Sequence, residues 1–231
     1  MPFLVSAYNR AVTASFPVTV ISDYVCPWCY IVSARVERME QEWDVDVRWW
    51  PFELHPETPP EGRPVDELLR RMGRGERYRQ HLREYAAAAG LPLVSTRWLP
   101  NSNLALQLAE FARDRGRFAA VHAGIFRAYF AEGRNIGDPE VLEEVAAQAG
   151  LDVREWRAAR LTGEYALRVA EATRIAREKG FHSTPTMILG NRLLITGAQE
   201  YDVYADALRR LGARRKTVDD DGVRASEAHD E

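Results

Sequence analysis

Only two cysteines occur in this chain of 231 residues, and they lie three positions apart in "ISDYVCPWCYIV", as Cys26 and Cys29. A Cys-x-x-Cys pair can supply half of a metal site or cycle between dithiol and disulfide. The apolar, β-branched run "FPVTVISDY" ahead of the pair reads as a strand, and the residues after it carry a helical pattern. Cys26 therefore falls at a helix N-terminus, where unpaired backbone N–H groups and the helix dipole favour an anion. A depressed pKa would make Cys26 an available nucleophile and a good leaving group. Cys29, one helical turn on and on the same face, is within reach to close a disulfide and release a mixed-disulfide partner. Pro27 fixes φ where its missing N–H costs nothing, and Trp28 adds apolar surface without charge.

A zinc site would need two further ligands from His55, His81, His122, His182 and His229, or a second copy of the chain, because no second Cys-x-x-Cys exists. No metal is expected. Inert core cysteines fit a position at a helix start poorly, which leaves redox chemistry as the main reading of the pair.

The chain that must position these thiols is 46% apolar and 10% aromatic, enough for a packed interior. A formal net charge of −3 gives no basic field of the kind that draws proteins to nucleic acid or anionic lipid. No apolar run is long enough to span a membrane, and residues 1–20 lack the pattern of a signal peptide, so a cytoplasmic location is expected. In that compartment paired thiols are more often catalytic or metal-binding than structural.

After the first strand and helix, "VDVRWWPFEL" (residues 45–54) alternates as a second strand, completing a βαβ unit. "HPETPPEGRP" has four prolines and a glycine and reads as a loop. Residues 65–180 then read almost wholly as helix, with segments closing on glycine and "GDPEVLEEVAAQAG" showing Asp138 as N-cap and Pro139 at the first helical position. Strand grammar returns in "TPTMILGNRLLITG", where Gly190-Asn191 predicts a two-residue hairpin loop, followed by a helix in "QEYDVYADALRRL". The charged end, residues 213–231, is expected to be disordered. The order predicts an α/β core at residues 16–62 and 173–212, interrupted by a helical domain at 63–172. An apolar face on that insertion would serve equally as an internal core or as the surface of a homodimer.

"DYVCPWCYIV", "WWPFELHPETPPEG" and "STPTMILGNRLLITGAQ" together resemble the DsbA-like thioredoxin-fold proteins, in particular the FrnE-type thiol-disulfide oxidoreductases. The likeness covers roughly residues 16–212 and implies a thioredoxin-like fold with a large helical insertion. It also implies that Pro185 is cis and faces the cysteine pair, with the Thr184 backbone turned toward the site to pair with an extended substrate segment. A neighbouring branch, the kappa-class glutathione transferases and 2-hydroxychromene-2-carboxylate isomerases, typically has serine at the position of Cys26, so two thiols favour redox chemistry.

Asp23 and His182 each lie three positions before a motif residue and are candidates to tune the thiolate. A protonated His182 would lower the Cys26 pKa, and Asp23 beneath the pair would shuttle the proton of Cys29. The bland alternatives are a capped strand end and an exposed loop. His55 is a weaker candidate, and Glu53 and Asn101 have no assignable step. Trp49, Trp50, Phe52 and Trp98 read chiefly as core, while Trp28 divides evenly between core and a substrate groove. "RRMGRGER" and "YRQHLRE" read as a solvated basic face.

These features predict a thiol-disulfide oxidoreductase acting on protein or small-molecule thiols and disulfides. With no third thiol, a separate electron donor or acceptor must recharge the pair. No organic cofactor is required, although glutathione is a candidate co-substrate. The competing readings are a glutathione-dependent isomerase or transferase for an aromatic small molecule, and a chaperone that binds unfolded chains without redox turnover.

Overall fold

The computed structural model describes residues 15–216. Phe16–Ser22 forms strand β1, helix α1 spans Pro27–Glu42, and β2 spans Val45–Pro51 parallel to β1 with Val20 opposite Trp49. Strand β5 (Thr186–Leu189) pairs antiparallel with the other side of β1, and β6 (Leu193–Thr196) pairs with β5. The sheet order is thus β2-β1-β5-β6, with β1 enclosed. A strand paired on both edges and covered on both faces must be apolar nearly throughout, which accounts for "VTVI" in place of a strict alternation.

On one face of the sheet, Val18, Val20 and Met187 pack with Val32, Val36 and Met39 of α1 and with Tyr204 and Leu208 of helix α9 (Tyr201–Leu211). Along α1 the apolar side chains of Ile31, Val36 and Met39 are buried, whereas Ala34 is only half-buried.

The hairpin differs from expectation. Leu189 pairs with Leu193, so the loop is Gly190-Asn191-Arg192, one residue longer than the two-residue loop predicted. Gly190 and Asn191 adopt φ of 59° and 55°. A Cβ on Gly190 would come within 2.6 Å of the Phe16 ring, so glycine is required there for space as well as for conformation.

Between the sheet halves lie a two-residue strand β3 (Arg63–Pro64), α2 (Val65–Arg71), α3 (Glu76–Ala88), a two-residue strand β4 (Trp98–Leu99) paired with β3, α4 (Asn103–Asp114), α5 (Phe118–Phe126) with a π-helical turn at Arg127–Ala131, α6 (Pro139–Gln148), α7 (Val153–Thr162) and α8 (Glu164–Glu178). Strands of two residues are too short to show an alternating pattern, so nothing in the residue pattern marks the β3–β4 ladder. Within the helical stretch, residues 65–90 form two helices and not one, because Gly73 enters the left-handed region (φ 64°) and Gly75 is extended, which interrupts the chain between α2 and α3. Asp138 caps α6 as predicted, its carboxylate accepting from the Glu140 N–H at 2.9 Å.

Helix α4 is the centre of this block, with every residue from Ala105 to Ala112 buried. Its core is continuous with the cysteines: Cys26, Cys29 and Tyr30 belong to the same apolar cluster as Leu108, Phe111 and Phe126. Helix α8 is tied to β2 and the segment after it, where Trp50 Nε1 donates to the Ala172 carbonyl at 2.9 Å and the Glu53 N–H to Thr173 Oγ1 at 3.0 Å. Of the charged end, residues 214–216 run beside residues 42–44, through Asp44 N–H to Arg214 O and Lys216 N–H to Glu42 O, both 2.8 Å. Residues 217–231 lie outside the described residues, so the expectation of disorder there has no structural counterpart.

Candidate active site

The chain leaves β1 through a turn at Asp23-Tyr24, in which the Cys26 N–H donates to the Asp23 carbonyl at 3.2 Å. Cys26 is the N-cap of α1, with extended backbone (φ −86°, ψ 112°), and Pro27 occupies the first helical turn, where no N–H is needed. The Cys29 N–H donates to the Cys26 carbonyl at 3.0 Å. Both thiols are free and buried, Cys26 being 4% exposed and Cys29 0%.

Strand pairing of β5 to β1 brings the loop before β5 against this junction. The Thr184–Pro185 peptide is cis, and the Cys26 thiol donates to the Thr184 carbonyl oxygen at 3.5 Å. The Thr184 hydroxyl is buried and has no partner while the thiol is protonated, so its hydrogen is available to a Cys26 thiolate. Burial pushes the Cys26 thiol up, but hydrogen bonding from the Cys29 thiol, the Thr184 side chain and the N–H groups of Cys29 and Trp28 outweighs it and leaves Cys26 more acidic than an ordinary thiol. Cys29 moves the other way, well above the ordinary value, because burial and the neighbouring Cys26 anion both oppose its ionisation.

Asp23 is fully buried, and its carboxylate accepts from the Leu54 N–H at 2.7 Å and the Val25 N–H at 3.3 Å. Burial raises its pKa to about 6, against the lowering effect of these N–H groups and the Ser102 side chain. It ties the β1–α1 turn to the chain after β2. His182 is exposed on the loop opposite Cys26.

Cys26 opens onto a cleft of about 340 Å³ whose walls come from the Cys26–Trp28 turn, the Ser183-Thr184 loop, α2, α3 and the segment after α3. Leu68, Leu93 and Phe130 give it an apolar floor. Trp28 is half-buried and not core: it lines the cleft and packs edge-on against Tyr85, with Nε1 donating to Tyr78 Oη at 3.1 Å. His55 lines the far side, held low in pKa by burial.

Trp49 and Phe52 are core, as expected, and Trp50 is half-buried. Trp98 is not core: it is 44% exposed and bonds the Glu61 carbonyl at 2.8 Å. Asn101 bridges loops through Thr58 O and the Asn103 N–H. The basic stretch expected to be a solvated face in fact turns Arg74, Arg79 and Arg83 into the cleft. The sequence signal for this was available only as the glycines at 73 and 75, which mark a turn but not its destination. Among the described residues no three His, Cys, Asp or Glu side chains are grouped to hold a metal ion, and no helix is long and apolar enough to cross a membrane.

The sheet order, the thiol pair at the head of α1 and the inserted helices define a thioredoxin-like fold of the DsbA type. The chain belongs to the DSBA-like thioredoxin domain family, which it matches over residues 17–209. It is 31% identical over 192 residues to the uncharacterized protein YwbO of Bacillus subtilis (strain 168), covering 83% of this chain and 94% of that protein. The crystal structure of a probable DsbA oxidoreductase, SCO1869 from Streptomyces coelicolor, superposes with a TM-score of 0.77 at 32% identity, over 84% of this chain and 89% of that one. A 2-hydroxychromene-2-carboxylate isomerase shares the fold at 21% identity, TM-score 0.71, over 84% and 95% of the two chains.

Proposed function

We propose that the chain is a thiol-disulfide oxidoreductase whose redox centre is the Cys26–Cys29 pair of its Cys-Pro-Trp-Cys motif. The observation that carries this reading is the placement of two free thiols one helical turn apart, Cys26 at the N-cap of α1 with its sulfur 3.5 Å from the Thr184 carbonyl oxygen and Cys29 fully enclosed behind it. Cys26 as thiolate attacks one sulfur of a substrate disulfide, forming a mixed disulfide and expelling the other half as a thiolate. Cys29, on losing its proton to the solvent or to the departing thiolate, attacks Cys26 Sγ and releases the second half. The substrate disulfide is reduced by two electrons and the pair is oxidised; a separate thiol or disulfide partner resets it.

Thr184 and Pro185 form the wall against which the substrate sulfur is presented, Pro27 and Trp28 shape the entrance, and Asp23 and His182 tune the thiols. Glutathione is a fitting co-substrate, since it is itself a thiol that can recharge the pair, and the redox role fits a cytoplasmic location. The chemistry uses no metal or organic cofactor.

The test is insulin reduction by dithiothreitol, comparing wild type with Cys26→Ser and Cys29→Ala. Catalysis should be lost in the first and depressed in the second, and equal activity in all three proteins would refute the reading. A second reading, a glutathione-dependent isomerase for an aromatic small molecule, is favoured by the apolar cleft beside Cys26 and by the shared fold. It predicts saturable glutathione binding and activity that survives Cys29→Ser.

A further inference from the structure

The cleft beside Cys26 carries one sign of charge. Arg74, Arg79 and Arg83 line it, and no Asp or Glu does, although the whole chain has a net charge of −3. Arg79 already meets Asp66, and Arg83 meets Glu76 at 2.7 Å. Arg74 has no carboxylate partner among the described residues; its guanidinium lies over the Tyr78 ring, 4.6 Å from the centroid. Tyr78 is in turn held by Trp28, two residues from Cys26. Placement is set by the turn between α2 and α3, where the Arg74 N–H donates back to the Leu69 carbonyl at 2.8 Å and Gly73 supplies the left-handed residue.

The wall of the cleft thus runs from a nucleophilic sulfur, over aromatic rings, to a cation with no carboxylate beside it. A volume of about 340 Å³ is that of a small-molecule site. We propose that the cleft selects low-molecular-weight disulfides whose halves carry a carboxylate on an apolar body, with Arg74 as the anion-binding, specificity-determining residue. The proposal rests on the thiol-disulfide reading and names the substrate class of the same site. The carboxylate pairs with Arg74 and the apolar body covers the floor. Cys26 then bonds to the sulfur of the held half while the other half leaves as a thiolate. Attack of Cys29 on Cys26 Sγ releases the held half as the second thiolate.

The test mixes the reduced full-length protein with two aromatic disulfides that each release a chromophoric thiol: dithiobis(nitrobenzoate), which is anionic, and dithiodipyridine, which is neutral. The ratio of their second-order rate constants cancels changes in Cys26 reactivity, which act on both reagents. Loss of one charge-assisted contact should lower that ratio about tenfold in Arg74→Ala, with part of it recovered in Arg74→Lys. A ratio unchanged in Arg74→Ala overturns the proposal. So does a faster wild-type reaction with a disulfide-linked unfolded protein than with the anionic reagent, which would assign the cleft to polypeptide. Failure of both small disulfides to convert the wild-type protein to the Cys26–Cys29 disulfide, read by mass, refutes the redox reading itself and the substrate class with it.

Discussion

The Cys26 sulfur lies 3.5 Å from the carbonyl oxygen of Thr184, 158 positions further along the chain. Neither residue is near the other in any local element. Cys26 follows β1 and Thr184 precedes β5, and the antiparallel register that sets Ile21 opposite Thr186 brings the two segments to the same end of the sheet. The Cys26 thiol and the loop that faces it are therefore aligned by backbone pairing in the middle of the fold.

Trp28 places an uncharged indole between the cysteines, and a histidine there would add a cation beside the thiolate. Trp28→His should stabilise the reduced form and raise the reduction potential, by about 30 mV for each tenfold shift in the equilibrium constant. The wild-type potential should accordingly lie below that of the strongest dithiol oxidants, about −120 mV. Equilibration against a glutathione buffer measures both values, and a wild-type potential at that upper limit would contradict the role given to Trp28.

Two buried groups should set opposing slopes in the acid stability of the fold. Asp23 has a folded pKa raised from 3.8 to about 6, so the folded state holds more protons than the unfolded chain between those values and stability falls as pH rises through this window. The charged form then costs on the order of 3 kcal/mol above pH 6. His122, buried and bonded to Tyr24 Oη through Nδ1 at 2.9 Å, is depressed from 6.5 to about 3 by burial and by Arg113. There the unfolded chain holds more protons, and stability rises with pH over that range. Denaturant melts of Asp23→Asn between pH 4 and 6 should show a more positive slope than wild type, and those of His122→Phe a less positive one. Unchanged slopes would remove both groups from the acid response.

Gly190→Ala should destabilise the β5–β6 hairpin by about 1–3 kcal/mol, since the residue has φ of 59° and a new Cβ would meet the Phe16 ring at 2.6 Å. Gly150→Ala, also at positive φ (75°) but with open space around the new Cβ, should cost less. Urea midpoints of the two variants give the comparison, and equal losses would mean that backbone conformation alone decides the cost.

Much of this was legible in the residues because it is locally encoded. The strand-to-helix junction at Cys26, the helix start at Asp138-Pro139 and the β-hairpin around Gly190 each depend on a few neighbouring positions. The hairpin loop is longer than its Gly-Asn pair implies because Leu189 pairs with Leu193, leaving Arg192 in the loop as well. The wall of the cleft was not legible. Arg74 and Tyr78 reach it because α2 and α3 dock beside the cysteine turn, and their exposed, charge-rich pattern is also that of a helix facing only water. The ordered path of residues 214–216 likewise depends on backbone bonds to Glu42 and Asp44, far back in the chain.

The central claim is that Cys26 attacks and Cys29 resolves. Reduced wild type and Cys29→Ala are each exposed to a small disulfide, quenched with acid and analysed by peptide mass. The account predicts a Cys26–Cys29 disulfide with no adduct in the wild type, and a stable mixed disulfide on Cys26 in the variant. A wild-type protein that keeps both thiols free, or carries the adduct on Cys29, would contradict it.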